Sequence, residues 1–200
     1  TDYRAAGPTM EATTSLVART GHGPSDLHQT GSFHTDPIAG TSAVAATVAA
    51  LLERERSGHG QHIEISLFEC GTLFSVESVM DHQLNGRVAG PLANRSPHVA
   101  PQGAYRSAGD DCWLALSCES NVQWLALCTV VGASELAEAY PTLTQRISAH
   151  DTIDVAIEAW STTLDHNEAT RQLQAAGVPA GPVLANWEIA GDPHLYARDY

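Results

Sequence analysis

The sequence predicts an α/β protein built in two parts, and three observations point there. An Ala-rich run with helical spacing, Ile38 to Arg56, leads through a tight turn into a run of strand alternation, Gln61 to Leu67. Residues 87–100 are rich in Gly, Pro and Ala and lack periodicity, so they read as a linker. Beyond them two short alternating runs flank Ala108-Gly-Asp-Asp111, a hairpin signal in a different texture of sequence. At 200 residues the chain is one large domain or two small ones, long enough to bury a core.

In chain order, residues 1–35 hold Gly7-Pro8, a short apolar helix around Glu11 to Val17, and a polar loop. His22 to His28, with Gly-Pro-Ser at its centre, reads as turn and neither strand nor helix. Asp36-Pro37 then opens the long helix, because Asp is a favoured N-cap and Pro a favoured first residue. Its apolar positions are Ile38, Val44, Val48, Leu51 and Leu52, and it closes with Arg54 and Arg56 before Gly58, which suits a left-handed cap. After Gly58-His-Gly60, the residues Ile63, Ile65 and Leu67 face one way and His62, Glu64 and Ser66 the other, as in a strand. A helix from Phe68 to about Asn85 should pack through Phe68, Leu73, Val76, Val79 and Met80.

Ala104 to Ser107 and Cys112 to Ser117 are the hairpin strands. A helix from about Asn121 to Val131 follows, and Ser134 to His150 is helical in patches interrupted by Pro141. Thr152 to Trp160 and Asn167 to Ala176 are amphipathic helices, the second ended by Gly177. Val178 to Leu184 is a strand that its Gly and Pro confine to a sheet edge. Trp113, Trp124 and Trp160 read as core anchors.

Composition narrows the chemistry. With 23 acidic residues against 10 basic ones, the net charge of -13 argues against nucleic acid or an anionic membrane as partner. No signal peptide and no apolar run of membrane length is visible, which leads to the expectation of a cytoplasmic protein. Cys70, Cys112, Cys118 and Cys128 show neither C-x-x-C nor zinc spacing and read as free core thiols; His59 and His62 lack companions at ligand spacing, so no metal is expected. There is no G-x-S-x-G elbow, and Gly58-His-Gly60 joins helix to strand, the wrong context for a dinucleotide loop. Among the carboxylates, Asp36 alone combines a helix start with small, glycine-rich neighbours. Local physics by itself reads it as an N-cap.

The segment Thr35-Asp-Pro-Ile-Ala-Gly40, followed by Ala50-Leu-Leu-Glu-Arg-Glu-Arg-Ser-Gly58 and Gly60-Gln-His-Ile-Glu-Ile-Ser-Leu-Phe-Glu69, resembles the signature of the class III CoA-transferases. Gly7-Pro8 with Glu11-Ala12 and Thr20-Gly21 lie upstream in the family's order. Asn94-Arg-Ser-Pro97, Ala100-Pro-Gln-Gly103, Gly177 to Val183 and Asp192 to Arg198 lie downstream in it. The resemblance implies a Rossmann-like large domain (residues 1–86 being part of it), the linker 87–100, a small α+β domain over 101–190, and a return to the large domain from 191–200. It implies an interlocked homodimer and a chain about twice this long, of which this is an internal segment, with most contacts to the CoA phosphates lying elsewhere in it.

The resemblance further implies the activity: an acyl-CoA:carboxylate CoA-transferase with Asp36 as covalent nucleophile. Ala39, Gly40 and Leu67 would lie at the substrate and CoA site, with backbone amides near Ala39-Gly40 candidates for steadying an oxyanion. Substrates would be an acyl-CoA and a small carboxylic acid, with coenzyme A entering as the thioester substrate and no tightly bound cofactor. Two alternatives stand beside this reading. One is an isomerase at the alpha carbon of an acyl-CoA, opposed by Ala6, which occupies the position where the family's racemase branch carries a histidine. The other is a CoA-binding remnant without activity.

Overall fold

Strand formation in this chain follows local pairing, and both sheets in the computed structural model, which describes residues 5–199, are antiparallel. The ends of the segments expected over 1–86 and 191–200, residues 1–4 and 200, lie outside the described residues. Two compact units meet between Ala93 and Asn94 in the chain.

The first unit contains α1 (Gly7–Thr13), α2 (Leu16–Arg19), β1 (Gly21–Gly23), β2 (Asp26–Leu27), α3 (Thr35–Ser57), α4 (Leu67–Leu73) and α5 (Val76–Asn85). Several expectations need correction here. The first helix begins at Gly7 and breaks after Thr13, where the Thr13 and Thr14 hydroxyls bond the Met10 carbonyl and Ser15 takes a φ of 67°. His22 to His28 is a miniature hairpin, because Pro24-Ser25 turns the chain tightly enough for Gly21 and Gly23 to pair with Leu27 and Asp26. Residues 61–66 do not form the expected strand: they pair with neither sheet, and alternation makes a strand only where another edge lies alongside. The expected 68–85 helix is two helices, parted at Phe74-Ser75, where the buried Ser75 hydroxyl donates to the Thr14 carbonyl across the unit (2.7 Å).

The apolar faces of this unit are also not where helical packing would put them. Val44, Val48, Leu51 and Leu52 on α3 are exposed, as are Phe68, Leu73, Val76, Val79 and Met80 on α4 and α5. What α3 buries is its small-residue end, Thr35 and Ala39, against α1 and α4. At 23 residues α3 is long and apolar enough to cross a bilayer by length and composition, contrary to the expectation that no such run exists.

The second unit, among the described residues, is a three-stranded sheet, order β3-β4-β5, from β3 (Gln102–Arg106), β4 (Trp113–Ser117) and β5 (Ala180–Val183), with seven helices. The hairpin forms as the sequence predicts, Tyr105 pairing with Leu114 and Arg106 with Trp113. β5 lies at the edge, with Pro182 opposite Leu114. The helices are α6 (Asn121–Val131), α7 (Ser134–Ala139), α8 (Leu143–Ser148), α9 (His150–Ser161), α10 (His166–Ala175), α11 (Asn186–Ala190) and α12 (Pro193–Ala197). Side chains of Ser120, Thr142 and Asp165 cap α6, α8 and α10, each accepting a backbone N–H that the helix leaves free.

The core of this unit joins Tyr105, Leu114, Trp124, Leu127, Ile153 and Leu173. Trp124 is a core anchor and Trp160 packs partly against it, whereas Trp113 sits half-exposed under the Arg106 guanidinium, with its indole N–H donating to Asp111. Arg146 is buried within this unit, donating to the carbonyls of Ala100 (2.8 Å) and Pro141 and to Asn121. Arg95 reaches Asp151 and Asp154 on α9, and Asp154 also accepts from the Tyr105 hydroxyl (2.8 Å).

Candidate active site

Asp36 stands in the first turn of α3, two residues further into the helix than expected. The helix starts at Thr35 because Phe33, at a φ of 49°, reverses the chain and its carbonyl accepts the Asp36 N–H (2.9 Å). His34 occupies the N-cap position without a side-chain cap, and its ring lies edge-on to Phe74. The N-cap role that local physics assigns to Asp36 therefore does not form. Its side chain is exposed, and among the described residues its carboxylate accepts no hydrogen bond. Pro37 follows within the same turn, where its missing N–H costs nothing.

Two glycines shape the space around that carboxylate. Gly7, the first residue of α1, is buried against it: a Cβ there would stand 2.9 Å from Asp36 Oδ2 and 2.7 Å from Phe33 Cβ. Gly40 is one helical turn beyond Asp36 on the same face, and a Cβ there would meet nothing within 4 Å. So one glycine admits backbone close behind the carboxylate and the other leaves its approach open.

The neighbouring helix face is packed. Thr35 is fully buried and Ala39 nearly so, one turn apart. A Cβ on Gly71 of α4 would lie 2.8 Å from Thr35 Cγ2 and 2.9 Å from Thr14 Cγ2, so α4 reaches α3 by giving up a side chain. Leu67, the first residue of α4 and one turn from Gly71, is 37% exposed. The structure thus places Asp36 and Gly40 on an open face and Ala39 on the packed one. Being helical, the Ala39 and Gly40 amides point to carbonyls one turn back.

Glu11, in the sequence a motif residue at the start of a short apolar helix, is a buried anchor in the structure. Its side chain is buried, and it accepts from the Thr30 hydroxyl (2.6 Å), the His34 N–H (2.6 Å) and the Thr30 N–H (3.1 Å). Burial works to raise its pKa, but these hydrogen bonds outweigh it and hold the carboxyl below the usual 4.5. Nothing in sequence spacing announces bonds across such separations; a carboxylate on the apolar side of a short helix is the one available signal.

Other nucleophiles are poorly placed. Cys70, Cys118 and Cys128 are buried free thiols, Cys112 half-buried. Burial pushes Cys118 up to about 12 and Cys128 up to about 11, so neither offers a thiolate near neutrality. No metal-binding cluster occurs among the described residues.

The description of CoA-transferase family III fits residues 1–200. The chain belongs to CoA-transferase family III. A succinyl-CoA–D-citramalate CoA-transferase of Chloroflexus aurantiacus is 30% identical over 98% of the chain, and an acetyl-CoA:oxalate CoA-transferase of Acetobacter aceti is 29% identical over 98%. The match spans 49% and 51% of those two proteins, so the chain covers about half the length of the curated relatives it matches. A CaiB/BaiF family protein from Brucella suis has the same fold, with a TM-score of 0.86 at 24% identity over 98% of this chain and 52% of that one.

Proposed function

We propose that the protein of which this chain is part is an acyl-CoA:carboxylate CoA-transferase and that Asp36 is its nucleophile. The observation that carries this reading is the exposed Asp36 carboxylate, without a hydrogen-bond partner among the described residues, with Gly7 behind it and Gly40 leaving its front open. A carboxylate meant to cap a helix would be turned onto amides; this one is free to react.

The chemistry follows from the group. A carboxylate oxygen of Asp36 attacks the thioester carbonyl of the donor; the C–S bond breaks, giving a mixed anhydride and CoA thiolate. The thiolate attacks the aspartyl carbonyl of that anhydride and releases the donor acid, leaving an aspartyl-CoA thioester. An acceptor carboxylate attacks this thioester, forming a second anhydride and returning the thiolate. Thiolate attack at the acyl carbon then yields the new acyl-CoA and restores Asp36. The overall exchange turns one thioester into another through anhydrides, with no bond lost to water, so the sequence runs in both directions without added acid or base. Holding thioester and carboxylate in contact supplies much of the rate, an effect worth up to roughly 7–11 kcal/mol.

The position matching the racemase histidine supports transfer over alpha-carbon exchange. Ala6 adjoins Gly7, the residue against the Asp36 carboxylate, and it has only a methyl to offer. A two-base epimerisation has no second base there. The homodimer and the Rossmann-like large domain implied by the family belong to the same proposal; the exposed apolar residues of α3 are compatible with a covered face in such an assembly.

In the intact protein, Asp36→Asn keeps the shape of the side chain and removes its nucleophilicity. Its turnover should fall by at least about a thousandfold, since a covalent step is lost. Wild-type turnover in that variant would refute the nucleophile.

A further inference from the structure

Glu11 is an anion placed where a solvated helix residue would not be. It is 1% exposed and lies on α1, and besides hydrogen bonds the His34 ring charge favours its ionised form. What satisfies it is one loop. Thr30 gives both its hydroxyl and its N–H, and His34 gives its N–H, so three donors from residues 30–34 converge on one carboxylate. His34 is the N-cap of α3, and its amide is one of the donors a helix start leaves free. Between those two anchors, three residues before Asp36, lies Phe33, whose positive φ a side-chain-bearing residue adopts only when its surroundings compel it.

We propose that Glu11 is a positioning residue for Asp36: by holding Thr30 and His34 it fixes the first turn of α3, and with it the line along which the Asp36 oxygens meet the thioester. The inference rests on the reading of Asp36 as nucleophile. The loop itself is largely exposed and polar, and its packing contacts are confined to its end, Phe33 against Gly7 and the His34 ring against Phe74. Glu11 is the element of the packed interior that reaches out to it. Gln at this position would keep the volume but turn an acceptor-only carboxylate into an amide, whose NH2 group would face a donor.

The test is Glu11→Gln in the intact protein, read by steady-state kinetics and by amide hydrogen exchange. The expected result is a kcat lower by about tenfold or more with the KM for acyl-CoA within about twofold, because misplacing a nucleophile costs rate rather than binding. Exchange at Thr30 and His34 should accelerate while α9 and α10 keep their protection. A kcat within about twofold of wild type, despite faster exchange at those amides, would overturn the proposal. So would an activity loss accompanied by faster exchange throughout both units, which is what a merely structural role predicts. Where Glu11→Gln does not accumulate as folded protein, Thr30→Val removes one donor from an exposed position; a several-fold fall in kcat with KM retained supports the proposal and wild-type kcat overturns it. Asp36→Asn separates the two readings. If it retains turnover, the nucleophile is wrong; if it is inactive while Glu11→Gln is wild type, only the positioning role fails.

Discussion

At the scale of single residues, the two glycines around Asp36 make opposite predictions. Alanine at Gly40 meets open space and should stabilise the protein by up to about 1 kcal/mol, the gain of alanine over glycine inside a helix. If substrate lies across that face, the same methyl raises the KM for acyl-CoA or lowers kcat. A Gly40→Ala variant that melts higher and turns over normally would take Gly40 out of the site. Alanine at Gly7 instead drives a Cβ to 2.9 Å from Asp36 Oδ2 and 2.7 Å from Phe33 Cβ. Overpacking of that kind costs about 1–3 kcal/mol. Its signature should be a lowered denaturation midpoint together with a loss of turnover; an unchanged midpoint would mean that α1 does not sit against Asp36 as described.

Elements show which parts of this fold are legible in a sequence. The hairpin of β3 and β4 was readable because alternating residues flank a Gly-Asp-Asp turn, and both signals are local. The edge position of β5 was readable from Pro182 and Gly181, which weaken a central strand. Residues 61–66 carry as clean an alternation as any strand here and form none among the described residues, since pairing depends on a neighbour that the segment itself does not encode. The break at Ser75 and the carboxylate of Glu11 were hidden for a related reason: each answers a partner far away in the chain, Thr14 in one case, Thr30 and His34 in the other. At the site, Asp36 was recognisable from its motif, but only the structure shows that α3 starts before it and that its carboxylate does not cap the helix.

Two buried groups on these elements respond to acid. Glu11 is held below its ordinary 4.5, so its contribution to stability is present above that value and disappears as pH falls through the lower folded-state pKa. The stability of the first unit to chemical denaturant should therefore fall on acidification below about 4.5, and less steeply in Glu11→Gln. Burial pushes His150 below 6.5; Asp154 pulls the other way, and Arg95 adds to the depression. The neutral ring accepts the Gln102 N–H (3.3 Å). Its contribution is present above 6.5 and is lost as pH falls through the depressed folded value, so the second unit should begin to weaken at a higher pH than the first. Equal acid sensitivity of the two units, followed by tryptophan fluorescence for the second and exchange at Thr30 and His34 for the first, would contradict that order.

On the scale of the whole chain, the two units are built differently. The second has a contiguous apolar core, so Ile153→Ala should cost about 2–5 kcal/mol. The first buries mainly small or polar groups, among them Thr14, Thr35, Ala39, Ser75 and Glu11, and leaves the long apolar face of α3 in solvent. The isolated 200 residues should thus show strong exchange protection in α6, α9 and α10 and weak protection in α4 and α5. Uniform protection across both units would show that the first needs no cover for its apolar faces.

The proposed activity turns on a covalent bond to one side chain. The most direct measurement is peptide-level mass spectrometry of the intact protein incubated with acyl-CoA and then treated with hydroxylamine, which converts an activated aspartyl carbonyl into a hydroxamate. The account predicts that modification on Asp36, dependent on acyl-CoA and missing in Asp36→Asn. A turning-over enzyme whose Asp36 peptide stays unmodified, or whose adduct maps to another residue, would contradict it.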